Sequence, residues 1–169
     1  MSSLLDHFSI RAKLLALVVV GALGIALALS ASLREERQVL LEDREVKTQQ
    51  VVETAMGVLN YFEAQAKAGK LSREEAQRQA AAVLKGTRYG GKEYFWINDL
   101  DQRVIMHPIK PEWDGTLRDD IHDPDGVYTY REFAKIAKAQ GGGFVAYRWN
   151  KPGESVPSRK ISYVQLFEP

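Results

Sequence analysis

Glu93-Tyr94-Phe95-Trp96-Ile97-Asn98 decides the fold class of this 169-residue chain. The stretch is dense in aromatic and β-branched residues and follows a Gly90-Gly91 turn, the signature of a strand. Asp99-Leu100-Asp101-Gln102 reverses the chain and residues 103–107 return, which makes a β-hairpin. Alternation puts Tyr94, Trp96 and Asn98 on one face of the strand, and Phe95 and Ile97 on the other. A second hairpin is expected from residues 144–149 and 160–167, around the turn-rich residues 150–158. In it Tyr147 and Trp149 share a face, as do Lys160 and Ser162.

Outward from these strands the period changes to that of helices. Asp123-Pro124-Asp125-Gly126 is expected to cap a helix over residues 127–139, with Val127, Tyr130, Phe133, Ala134 and Ala137 buried. Gly141-Gly142-Gly143 ends it. Upstream, Ser72-Arg73-Glu74-Glu75 fits a capping box, with Ala76, Ala80, Val83 and Leu84 as the buried stripe of a short helix. Residues 33–68 contain no proline, and their apolar side chains recur three, four or seven apart, so one long helix is expected, ended by Gly69. The two helices form an antiparallel hairpin. The reading is α+β: helices covering one side of an antiparallel sheet, with four strands present and a fifth expected beyond residue 169.

Between Leu14 and Leu29 every residue is Leu, Ala, Val, Ile or Gly. With its small-residue extension to Leu33 this is long enough for a helix of about 30 Å, the thickness of the bilayer hydrocarbon. Arg11 and Lys13 precede it, which places residues 1–13 in the cytoplasm, residues 14–33 in the membrane and residues 34–169 outside the cytoplasm. A cleaved signal peptide is the rival reading, since small residues near Ser30 resemble a cleavage site, but the apolar run exceeds the usual signal core. Both readings export the remainder.

Composition closes other routes. A formal charge of +1 argues against nucleic acid as the main partner. The absence of cysteine excludes disulfides, thiolate metal sites and cysteine nucleophiles. The segment Gly86-Thr87-Arg88-Tyr89-Gly90-Gly91-Lys92 resembles a phosphate loop, but it lacks the Ser or Thr that holds magnesium and runs from helix to strand. Asp119, Asp120, Asp123 and Asp125 do not keep calcium-loop spacing. His107 and His122 are a weak metal pair, and no hydrolase triad is visible. No cofactor, metal or enzymatic activity is expected.

Several blocks, taken in order, resemble one family: Lys92-Glu93-Tyr94-Phe95-Trp96-Ile97-Asn98-Asp99, Met106-His107-Pro108-Ile109-Lys110-Pro111-Glu112, Gly141-Gly142-Gly143-Phe144-Val145-Ala146-Tyr147-Arg148-Trp149, Lys151-Pro152-Gly153 and Ser162-Tyr163-Val164. They are similar to the single Cache sensor domain of bacterial methyl-accepting chemotaxis receptors. The resemblance implies a periplasmic PAS-like domain, working as a homodimer, that senses a small organic acid of the acetate, propionate, pyruvate or lactate class. The same domain on a histidine kinase or cyclic-nucleotide enzyme is the alternative, and a membrane-tethered exported enzyme or binding protein a further one. A carboxylate sensor needs apolar walls and, at one end, a cation or several donors. Tyr94, Trp96, Tyr147, Trp149 and Tyr163 offer walls and donors, His107 an imidazole donor, and Lys160 the charge. Arg88 is a further candidate contact, and Trp113 a candidate lid. Each has a plainer role as core filler, structural histidine or solvated edge charge.

Overall fold

The computed structural model describes residues 9–150, 153 and 155–169. Residues 1–8 of the expected cytoplasmic segment, and Lys151-Pro152 of the second hairpin's turn, lie outside the described residues. No proline interrupts residues 10–67, and they form one α-helix, α1 (Ile10–Lys67). Gly69 closes it at φ +69°. Its N–H donates to the Ala66 carbonyl (2.9 Å), and that of Lys70 to the Gln65 carbonyl (3.0 Å). This double closure is the usual end of a glycine-terminated helix.

The chain divides into two compact units, Met1–Arg44 and Glu45–Pro169. The described part of the first, from Ile10, is the N-terminal stretch of α1, a helix long and apolar enough to cross a membrane. Its apolar side chains touch little protein: Leu17 is 73% exposed and Leu27 71%. A continuous apolar surface of this kind is unfavourable in water and compatible with lipid.

In the second unit, α2 (Arg73–Gly86) starts at Ser72, whose hydroxyl accepts from the Glu75 N–H (3.1 Å). The other half of the expected capping box does not form. The Glu75 carboxylate accepts from Arg78 and Gln79 instead, the i+3 and i+4 neighbours that compete for it on a helix surface. One cluster gathers Ala55 of α1, Leu84 of α2 and Met106, with Val58, Leu59, Ala81, Phe95 and Ile97 against them.

The expected strand over residues 93–98 is divided. β1 (Arg88–Tyr89) pairs with β2 (Glu93–Tyr94), while β3 (Ile97–Asn98) pairs with β4 (Val104–Met106). The chain changes partner at Phe95-Trp96, and the register slips between Ile97 and Asn98. The faces follow the alternation all the same. Phe95 and Ile97 pack on the α1–α2 cluster, whereas Trp96 packs on a second cluster of Val104, Tyr130, Phe133, Val145 and Tyr147. Each of these large buried side chains contributes about 2 kcal/mol by leaving water.

The second hairpin is longer than expected. β5 (Gly142–Trp149) pairs antiparallel with β6 (Ser158–Gln165), with Tyr147 opposite Lys160 and Val145 opposite Ser162. Among the described residues the expected single sheet is therefore three two-stranded antiparallel sheets, and six strands stand where four were foreseen.

α3 (Thr129–Gln140) begins two residues later than expected, because Asp123 does not cap it. Its Oδ1 accepts from the N–H groups of Asp125 and Val127 (both 2.9 Å), and its Oδ2 from that of Arg148 in β5 (2.8 Å). Asp123 thus closes a tight turn with Gly126 at φ +84° and pins it to the sheet. Gly143 lets α3 lie close on β5, since a Cβ there would stand 2.8 Å from Ile136 Cγ2. Overpacking at that point is expected to cost Gly143→Ala about 2 kcal/mol, read as a lower urea midpoint with an unchanged slope.

Candidate functional site

Alternation along the strands, together with the inner face of α3, brings a set of polar and aromatic side chains around one small cavity. Tyr94 comes from β2, Trp96 from the β2–β3 junction and His107 from the end of β4. Tyr147 and Trp149 come from β5 and Lys160 from β6, while Thr129, Tyr130 and Phe133 of α3 close the remaining side. The cavity measures about 10 Å³, room for about one water molecule.

Its walls are rings at mutual contact. Tyr94 lies 5.2 Å from His107, Trp96 5.0 Å from Phe133, and Tyr147 5.8 Å from Trp149, centroid to centroid. Burial raises the Tyr94 phenol above its ordinary value, partly offset by the Trp149 indole N–H. Burial likewise raises the phenols of Tyr130 and Tyr147. All three are neutral hydroxyls at physiological pH. Tyr147 Oη shares a hydrogen with Ser162 Oγ (2.9 Å), and Trp96 Nε1 donates to Asn98 Oδ1 (2.9 Å), so Trp96 offers the cavity its ring and not its donor.

The backbone sets the tautomer of His107. Nδ1 accepts from the N–H groups of Ile109 (3.2 Å) and Lys110 (3.0 Å), so the ring hydrogen sits on Nε2. Burial, and then the nearby ammonium groups of Lys110 and Lys160, push the imidazole down to about 4. His107 is therefore a neutral donor near pH 7.

Lys160 supplies the charge. Its side chain is only 11% exposed, and Nζ stands 3.6 Å from Glu93 Oε2 and 4.6 Å from the centre of the Tyr94 ring. Lys110 is a second cation close by, its Nζ 4.1 Å from the Trp113 ring and 5.8 Å from that of Trp149. Trp113 stands edge-on to His107, Tyr130 and Trp149, behind the cavity wall. It packs on the core from a single 3-10 turn (Pro111–Trp113), where a lid was expected.

Of the eight residues expected to touch a ligand, six meet around this cavity and two do not. Arg88 is exposed, and its guanidinium donates to the carbonyls of Lys85 and Thr87 (both 2.8 Å), where it satisfies the end of α2. Tyr163 falls on the other face of β6 from Lys160 and Ser162, and its ring packs edge-on against Phe144 at 4.9 Å. The α3 contribution went unforeseen, although Tyr130 and Phe133 lie on the face expected to be buried. A helix pattern tells which side is covered, and not that a cavity lies beneath it. Lys110 also went unforeseen; its position depends on the loop after His107.

The family model Single Cache domain 2 matches residues 40–169. The chain is 45% identical over 166 residues to the methyl-accepting chemotaxis protein McpP of Pseudomonas putida, covering 98% of this chain and 30% of McpP. Two solved structures are similar. A periplasmic sensor domain of a chemotaxis protein superimposes with TM-score 0.74 at 43% identity, over 76% of this chain and 90% of the other. A Cache chemosensory domain, described for its recognition of carboxylic acid, gives TM-score 0.74 at 45% identity over 78% and 90%. Fold and sequence agree: the chain belongs to the Single Cache domain 2 family of sensor domains.

Proposed function

We propose that this chain is the sensing portion of a chemotaxis receptor and binds a short monocarboxylate in the cavity between Tyr94 and Lys160. The observation that carries the reading is the enclosed Lys160 ammonium, set among neutral donors and aromatic walls. An ammonium attracts a carboxylate, the Tyr hydroxyls and His107 Nε2–H donate to its oxygens, and the rings take a short apolar tail. Relatives that recognise carboxylic acid and mediate chemotaxis support the same conclusion. α1 is the anchor: its apolar stretch spans the inner membrane, Arg11 and Lys13 keep the N-terminus in the cytoplasm, and residues 34–169 stand in the periplasm. The receptor acts as a homodimer.

A cavity of about 10 Å³ must widen to admit even a two-carbon acid. Binding is thereby coupled to displacement of the walls, and the ligand biases two arrangements that α1 carries to the membrane. The bias cannot exceed the difference in ligand affinity between them.

Thermal unfolding of the chain with acetate, propionate, pyruvate, lactate and the matching neutral amides tests the reading. At least one acid is expected to raise the midpoint, by an amount that grows with concentration, while its amide does not. Stabilisation by amides alone would overturn the carboxylate assignment. Because His107 stays neutral well above its value of about 4, propionate affinity is expected to change less than about threefold between pH 6 and pH 8. For topology, Ser9→Cys and Ser155→Cys give unique thiols in a chain without cysteine. A membrane-impermeant maleimide is expected to label Ser155→Cys alone once the outer membrane is permeabilised; the reverse pattern would overturn the orientation.

A further inference from the structure

Lys160 already faces a carboxylate of the protein's own. Glu93 comes from β2, one residue before Tyr94, and its Oε2 stands 3.6 Å from Lys160 Nζ. The two partners differ in setting. The Lys160 side chain is 11% exposed and lines the cavity, whereas that of Glu93 is 36% exposed and stands outside the lining. The separation exceeds the roughly 2.7–2.9 Å of a charge-assisted hydrogen bond, so this is a loose ion pair and not a locked one. Glu93 is held in β2 opposite Tyr89, and its partly exposed carboxylate reaches water by side-chain rotation alone.

A cation as enclosed as Lys160 needs a counter-charge, because an uncompensated ammonium out of water is costly. Glu93 supplies one from the rim. An incoming acid approaches the same Nζ and meets both the competition for its hydrogens and the repulsion of a nearby negative charge. Both effects weaken binding, and both disappear with the Glu93 charge.

We propose that Glu93 is a built-in competitor for the ligand's carboxylate at Lys160 and sets the affinity range of the site. The inference rests on the carboxylate reading above. Ligand entry exchanges one carboxylate for another on Lys160 and releases Glu93 toward solvent. The site thus stays responsive at concentrations where a stronger binder would be saturated.

The test is titration calorimetry of the full 169-residue chain in nanodiscs with propionate, at fixed ionic strength, for the wild type, Glu93→Gln and Lys160→Gln. Glu93→Gln is expected to bind propionate about fivefold more tightly, the size of a partly exposed charge interaction. Lys160→Gln is expected to lose about a hundredfold in affinity, which leaves no binding detectable in the titration. Glu93→Asp, whose shorter stem withdraws the carboxylate from Lys160, is expected to fall between wild type and Glu93→Gln, and it serves as the measurement should Glu93→Gln not fold. Equal or weaker binding in both Glu93 variants, with a wild type that binds and a Lys160→Gln that does not, would overturn the competitor role and leave the carboxylate site standing. Undiminished binding in Lys160→Gln, or none in the wild type, would overturn the site and the competitor with it.

Discussion

Lys160→Ala is expected to lower propionate affinity about a hundredfold while the fold survives, since removing one partner of an enclosed charged contact costs several kcal/mol of binding. The fold tolerates the change because Glu93, the acidic partner, is one-third exposed and rehydrates once the ammonium is gone. Partly exposed pairs of this kind add little to stability. Lys160→Arg separates charge from shape. It keeps the cation but brings a planar guanidinium into a cavity of about 10 Å³, so an intermediate loss of about tenfold is expected. Calorimetry with propionate, alongside circular-dichroism melts, reads both. A Lys160→Ala protein that melts like the wild type and binds as well would remove the cation from the account.

Asp123→Ala is expected to destabilise the folded domain by about 3 kcal/mol. Three backbone N–H groups, from Asp125, Val127 and Arg148, converge on this one buried carboxylate. Removing it leaves donors unsatisfied and detaches the turn before α3 from β5. Asp123→Asn keeps one acceptor oxygen and is expected to lose less than half as much. Burial alone would raise this carboxyl, but the three N–H groups outweigh it and hold it below the ordinary range. A carboxyl held low in the folded state stabilises at pH values above its unfolded value, and that contribution is lost as pH falls through the lowered folded value. His107 acts on a higher window. Its imidazole titrates at about 4 when folded and near 6.5 when free, so the unfolded chain takes up the proton first. Stability is full above about pH 6.5 and declines as pH falls toward about 4. Urea midpoints are therefore expected to drop between pH 7 and pH 4.5 in the wild type. Asp123→Ala should keep that drop from a lower starting point. A wild-type midpoint unchanged over this range would contradict the neutral, backbone-fixed His107.

How far the sequence can be read is clear from particular residues. The alternation Tyr94/Trp96 against Phe95/Ile97 was legible: Tyr94 and Trp96 line the cavity, while Phe95 and Ile97 pack on the α1–α2 cluster. A period of two depends only on strand geometry, which survives the change of partner at Phe95-Trp96. The break itself was not legible, because pairing partners are chosen by the tertiary fold. Gly69 as the end of α1 was readable from a local φ requirement. Asp123 was read as a helix cap because Asp before a helix usually is one, and the competing use as a turn closer depends on Arg148, distant in sequence. Tyr147 and Lys160 were each legible from strand alternation and side-chain chemistry; that they lie opposite each other was not, because the register depends on how the hairpin turns. Tyr163 is odd where Lys160 and Ser162 are even, so strand alternation alone puts it on the opposite face of β6 from them. Arg88 is near the first hairpin along the chain, but its guanidinium is held by the carbonyls at the end of α2.

The measurement that bears most directly on the account is a crystal structure of the chain with propionate. The expected result is a propionate whose carboxylate lies within hydrogen-bond distance of Lys160 Nζ and His107 Nε2, its ethyl group against Trp96 and Phe133, in a cavity wider than the present one. Propionate bound elsewhere, or in this cavity with its carboxylate turned away from Lys160, would contradict the central claim.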